Sequence, residues 1–259
     1  MIVKSEGIVL RSIRYGDTSR IVTAYTQGHG RTTLIAKAAA GPKPRFGAAL
    51  ELFAHSQFVY YHKASREIQL LSQADVIESF RGMQADMDKT LLGFAVLEFV
   101  LSSVRGEEQH PGLFSLLLET LRGIDTAKTD PANILLRFLV HFSAALGFGM
   151  EMRTCHRCGA DIVSEGPTGA LFRFTPSEGA FACPSCSEEV AGMNVPAEVV
   201  RVLQAVSAAG CTESTAHPHS PATFSIALRL LHRHLAFHVQ GLRRVHALEM
   251  LSRNKREYG

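Results

Sequence analysis

The sequence predicts a multi-domain α+β protein: a small five-stranded barrel first, then helices through the centre and the C-terminal part, with a four-cysteine module inserted among them. Three observations carry this. Short β-branched and aromatic runs separated by turns fill the first 80 residues. From about residue 85 the apolar period lengthens to that of helices. Two Cys-x2-Cys pairs, 24 residues apart, then interrupt the helical pattern. The expected boundaries are 1–80 for the barrel, 81–150 for the first helical part, 151–192 for the cysteine insert and 193–259 for the remaining helices.

In order, EGIVLRSI, SRIVTAYT, RTTLIAK, SQFVYYHK and REIQLLSQADVI read as strands, with YGD and QGHG as turns. Closure suits five short strands because it leaves no edge exposed. AAAGPKPRFGAA, between the third and fourth, is too rich in Gly and Pro for a long element. Leu91, Leu92, Ala95, Val96, Phe99 and Val100 then form a wide apolar helical stripe. Pro111, Pro131, Pro196 and Pro221 each stand at an expected first helical position, where a missing N–H costs nothing, and Asp130 and Ser220 are candidate N-caps.

Net charge is +3 over 259 residues, but it is unevenly spread: +4 in 1–80, −2 in 81–150, −4 in 151–200 and +5 in 201–259. Basic ends around an acidic middle point to an anionic partner, nucleic acid first and an acidic membrane surface second. The most apolar run, 13 residues between Arg137 and Glu151, is too short for a membrane span. Lys4, Glu6 and Arg11 interrupt any signal-peptide core, so a cytoplasmic location with reduced thiols is expected. P-loop, dinucleotide and nucleophile-elbow motifs are absent, and nothing resembles an active site. His232, His234, His238 and His246 crowd one helical region, but no Glu stands between His234 and His238 to complete a metalloprotease pattern. They are read as solvent-facing.

Cys155, Cys158, Cys183 and Cys186 form two knuckles that can converge on one tetrahedral ion, expected to be a single structural Zn2+. The long spacer has turns around ALFRF and AFA, enough for a hairpin between the knuckles. Four thiolates close the coordination sphere, which argues against a catalytic metal. The acidic surroundings argue against the module as the grip on a phosphate backbone.

Residues 1–45 hold eight cations, Lys4, Arg11, Arg14, Arg20, Arg31, Lys37, Lys43 and Arg45, against Glu6 and Asp17. In a strand over RTTLIAK, Arg31, Thr33, Ile35 and Lys37 share a face. Lys43 and Arg45 follow on a loop. Tyr15, Tyr25, Tyr60 and Tyr61 lie in the same region. Cations tracking phosphates beside rings that stack on bases hold single strands without reading sequence, so Arg11, Arg14, Arg31, Lys37, Lys43 and Arg45 are the candidate nucleic-acid contacts.

GIVLRSIRYGDTSRIVTAYTQGHGRTTLIAKAAAGPKPRFGAALELF, REIQLLSQADVI and LLRFLVHFSAALGFGMEMRTCHRCG resemble the RecO family of bacterial recombination mediators. The resemblance follows the chain in order through barrel, helices, cysteine insert and last helices. It implies an OB-fold barrel that binds single- and double-stranded DNA and anneals complementary strands. It implies partnership with RecR, binding to the acidic C-terminal tail of single-strand-binding protein, and indirect help in loading RecA during repair near the nucleoid. The family's basic strand-and-loop motif falls on Arg31, Lys37, Lys43 and Arg45, and its cysteine pairs fall on the four named above. Arg137 takes the place of a cation beside an apolar groove that would meet the acidic tail. The alternative expectation is a protein-interaction scaffold whose helical part binds repair partners, with DNA contact incidental.

Overall fold

A computed structural model describes residues 1–40, 45–110, 112–128, 131–162, 169–208, 220–242 and 244–257, the last six by backbone alone. The chain forms two compact units, one of Met1–Thr126 with Arg244–Gly259 and one of Ala127–Arg243.

The first unit opens with a closed barrel in the order β1-β2-β3-β5-β4, built from β1 (Ile2–Tyr15), β2 (Ser19–Thr26), β3 (Gly30–Ala36), β4 (His55–Tyr61) and β5 (Ile68–Glu78). This is the OB-fold arrangement that the sequence predicts. β1 is long enough to serve two neighbours: its first half pairs with β4 and its second with β2, and a bulge between Val9 and Arg11 bends it between them. A short parallel pairing closes the cylinder, with Thr33 opposite Ile68 and Ile35 opposite Leu70. Alternation sorts the side chains. In β3, Thr32, Leu34 and Ala36 are buried while Arg31, Thr33 and Ile35 face outward, half-buried. Val9, Val22, Leu34, Leu50, Phe58, Tyr60 and Leu71 fill the interior.

The helices α1 (Arg81–Gln84), α2 (Met87–Ser103) and α3 (Leu113–Thr126) follow, and α7 (His246–Glu257) returns to the same unit. Asp86 caps α2 by accepting from the Lys89 N–H at 3.1 Å. α2 is apolar on nearly every side because it packs against β1, α1, α3 and α7 together. That packing is why the unit boundary falls after Thr126 and not near residue 80. The joint between barrel and helices lies at Gly30-Arg31. The Arg31 N–H donates to Gly106 O at 3.1 Å, and its Nη1 donates to Leu101 O and Val104 O at 3.0 and 2.9 Å. Gly30 has a φ of 56°, and a Cβ there would lie 2.3 Å from Glu108 O, so only glycine fits.

The second unit holds α4 (Ala132–Ala145), α5 (Ala197–Ala208) and α6 (Pro221–His238), which pack on one another, and a small sheet in the order β7-β6-β8. Its strands are β6 (Leu171–Thr175), β7 (Ala180–Ala182) and β8 (Met193–Pro196). Ser220 caps α6 as expected, accepting from the Thr223 N–H at 3.1 Å, with Pro221 in the first turn. α4 starts one residue later than expected, at Ala132, with Pro131 in the cap position; Asp130 lies outside the described residues. The reading of solvent-facing histidines fails at His234, which is buried. Its Nε2 lies 2.7 Å from Phe148 O and its Nδ1 3.0 Å from Pro176 O. His238 stacks on Phe148 at 4.5 Å and also reaches Pro176 O. Among the described residues no helix is long and apolar enough to cross a membrane.

Two outcomes are expected. Arg31→Ala leaves the last carbonyls of α2 without their charged donor and lowers the stability of the first unit by roughly 1.5–3 kcal/mol, read from denaturant midpoints. Burial, above all, lowers the His234 pKa from its ordinary value of 6.5, outweighing the two carbonyl contacts. The unfolded chain therefore binds the proton more readily. The stability carried by neutral His234 is complete above about pH 6.5 and erodes as the pH falls below it. Unfolding midpoints between pH 8 and pH 5 check this, with His234→Ala flattening the profile.

Candidate nucleic-acid interface and metal centre

Strand register gathers part of the expected cationic set. Arg14 on β1 stands opposite Arg20 on β2, and Arg20 stands opposite Ala36 on β3. Lys37, exposed, follows Ala36, so it lies at the same end of the barrel as Arg14, two strand spacings or about 10 Å across. Arg11 is exposed three residues back on β1. Tyr15 ends β1 and is 56% exposed. Arg11, Arg14 and Lys37 thus offer three charges to solvent around one hairpin.

The remaining candidates are placed differently. Arg31 is half-buried and committed to the α2 carbonyls, because a helix C-terminus has unpaired acceptors that a guanidinium satisfies well. The expectation of a phosphate contact at Arg31 gives way to this structural role. Arg45 is exposed, with Nη2 donating to Ser72 O at 2.9 Å and its guanidinium 5.0 Å from the Phe46 ring centre. Lys43 lies outside the described residues. Arg137 is only 5% exposed and has partners within the fold, so it is not presented to a peptide arriving from solvent. Its neighbours Leu136 and Phe138 are buried with it.

The tyrosines divide. Tyr25 and Tyr60 are buried, and burial pushes both phenols up from their ordinary value. Tyr15 and Tyr61 are exposed. Tyr61 belongs to a feature that sequence reading missed. Following opposed residues around the barrel joins Ile13, Ile21, Ile35, Leu70, Tyr61 and Ile2 in one apolar row. Ile13, Tyr61 and Ile2 are 41%, 46% and 67% exposed, and the other three are half-buried. Its members come from all five strands, so only the register reveals the row.

The cysteine pairs meet. All four Sγ atoms of Cys155, Cys158, Cys183 and Cys186 lie within 4.8 Å of one another. Cys158 Sγ and Cys183 Sγ are 3.8 Å apart. Metal–sulfur bonds of roughly 2.3 Å in a tetrahedron require sulfur–sulfur edges of about 3.8 Å. The residues fit a metal. Local turns shape each knuckle: the Gly159 N–H donates to Cys155 O at 2.8 Å and the Cys186 N–H to Cys183 O at 2.9 Å. Burial alone would push the Cys155 thiol up, but the N–H groups of Cys158, Cys183 and Arg157 bring it down to about 6. Cys186 goes to about 12, held up chiefly by the neighbouring sulfurs of Cys183 and Cys158. Arg173 is tied to the second knuckle through Ser187 O at 3.1 Å and Gly192 O at 3.3 Å.

Comparison with known proteins agrees with the architecture. Residues 1–80 match the family model described as Recombination protein O N terminal, and residues 84–246 match Recombination protein O C terminal. A DNA repair protein RecO of Desulfatibacillum aliphaticivorans is 33% identical over 185 residues, 71% of each chain. That of Chloroherpeton thalassium is 30% identical over 210 residues, 80% of this chain and 81% of the relative. That of Pelodictyon phaeoclathratiforme is 25% identical over 256 residues, 97% of this chain and 98% of the relative.

Metal binding to such a thiolate set is linked to folding. Treatment with a strong chelator is expected to lower the thermal unfolding midpoint and leave any DNA affinity of the barrel in place. Cys183→Ser should reproduce the loss. An unchanged midpoint in both cases would count against a bound metal.

Proposed function

Since the chain belongs to the RecO family, we propose that it is a non-enzymatic DNA-repair mediator whose barrel binds single- and double-stranded DNA and anneals complementary strands. The observation that carries this reading is the exposed set Arg11, Arg14 and Lys37 around one hairpin of a closed barrel, beside exposed Tyr15 and the apolar row. Cations along the backbone release counterions and lower the repulsion between two strands, so that complementary bases can meet. Apolar and ring surfaces support unstacked bases without regard to sequence. Arg45 and Lys43 extend the cationic track in this reading, and Arg31 is left out of it.

In the same reading the protein acts with RecR, docks the acidic tail of single-strand-binding protein, and so assists RecA loading in the cytoplasm, at the nucleoid. The metal is one Zn2+ held by Cys155, Cys158, Cys183 and Cys186. Four sulfurs would leave it no open position, so its part is to fasten the insert.

Titration of a labelled single strand at several salt concentrations tests the proposal. Affinity should fall steeply with salt. Arg11→Glu with Lys37→Glu should weaken binding to every sequence about equally and reduce the magnitude of the salt slope by about 0.7 per cation lost. Absent affinity, together with capture of an acidic peptide by the intact chain, would favour the scaffold reading instead.

A further inference from the structure

One cleft stands at the hairpin end of the barrel. It has a volume of about 420 Å³ and is lined by Ser12, Ile13, Arg14, Arg20, Ala39, Ala40, Glu51 and Leu52. Arg14 and Arg20 are directly opposed across the β1–β2 ladder. Like charges in that position repel, so something must offset them. Glu51 offsets one: its Oε1 accepts from Arg20 Nη1 at 2.8 Å. No residue among those described neutralises Arg14. The Ser12 hydroxyl, in the same lining, is buried and has no hydrogen-bond partner. The cleft therefore has an excess positive charge. Glu51 is 55% exposed in its side chain, and an ion pair this open to water is weak and readily exchanged. The volume falls within the range of about 300–1,000 Å³ typical of small-ligand sites, enough for one nucleotide unit.

We propose that this cleft seats one phosphodiester of a bound single strand between Arg14 and Arg20, and that the Glu51 carboxylate holds the phosphate's place in the free protein. The proposal rests on the DNA-binding reading and adds to it a defined seat and an internal competitor. A phosphate oxygen arriving at Arg20 releases Glu51 into water and supplies the counter-charge that Arg14 lacks. The guanidinium pair suits this ligand because two adjacent forks can share one tetrahedral anion. Glu51 thus taxes every encounter with DNA and disfavours occupancy by dilute small anions.

The test is a titration of the full chain with a fluorescein-labelled oligothymidylate at several salt concentrations. Glu51→Gln removes the competitor, and affinity should rise by about tenfold at low salt. The salt slope should steepen, because no freed carboxylate is left to take up a cation as the phosphate seats. Arg20→Gln should weaken binding and abolish the gain from Glu51→Gln in the double variant. Unchanged affinity and slope in Glu51→Gln, with Arg11→Glu and Lys37→Glu still weakening binding, would overturn the seat and leave the DNA-binding reading intact. No binding by the unaltered chain at low salt would overturn both. Tighter binding of a polyglutamate peptide by Glu51→Gln, with none gained for the oligonucleotide, would assign the cleft to an acidic peptide and also overturn the proposal. Arg14→Gln, which leaves the Arg20–Glu51 pair in place, is the second variant, and undiminished binding by it would contradict the seat independently.

Discussion

The guanidinium of Arg31 at the end of α2 is the interaction on which the first unit turns. A helix of this length ends with carbonyls that no residue of the helix can satisfy. Arg31 reaches two of them from a barrel strand and brings a positive charge to the negative end of the helix. The backbone takes part as well, through the Arg31 N–H and the close approach of Glu108 O to Gly30. Barrel and helices are thereby locked in register at one point. From there α2 sets the positions of α1, α3 and α7, because all three pack against it.

Charge is allocated by the same logic across the chain. A net count treats every cation as available, yet the fold engages several first. Arg31 serves the helix end, Arg20 meets Glu51, Arg122 meets Glu78, and Arg173 ties the cysteine insert to its own backbone. Of the barrel's own cations, Arg11, Arg14 and Lys37 are left exposed around one hairpin. The insert turns inward in its charges as in its sulfurs: His156 pairs with Glu178 and Arg157 with Glu189. Its acidic balance and its closed set of four sulfurs suit a fastener more than a grip.

Much of this was legible in the sequence, and the rest was hidden for identifiable reasons. The five strands, the helical stripe on α2, the Ser220 cap and the cysteine knuckles are local patterns with periods of 2 or 3.6 residues or short fixed gaps. They can be read without knowing the fold. The pairing of Ile35 with Leu70, the partner of Arg20 and the fate of Arg31 depend on contacts between residues 31 to 73 positions apart. No window of sequence contains them. Arg137 and His234 mislead for a related reason. Both are polar residues within helices, and sequence assigns such residues to water, but here the helices are enclosed on the sides that carry them.

The return of α7 to α2 has a consequence for how the protein is made. The Ala247 N–H meets the Glu98 carboxylate across 149 residues of chain, and every residue of the second unit lies between the two. A nascent barrel can close as soon as β5 leaves the ribosome, since all five of its strands precede residue 80. The groove on α2 that receives α7 stays empty until the cysteine-bearing unit has been synthesised in full. Domains that form one after another during translation tolerate interruption, whereas this one must wait with an apolar face open. Binding of a chaperone to the half-made chain would be concentrated on α2, and completion of the first unit would follow that of the second.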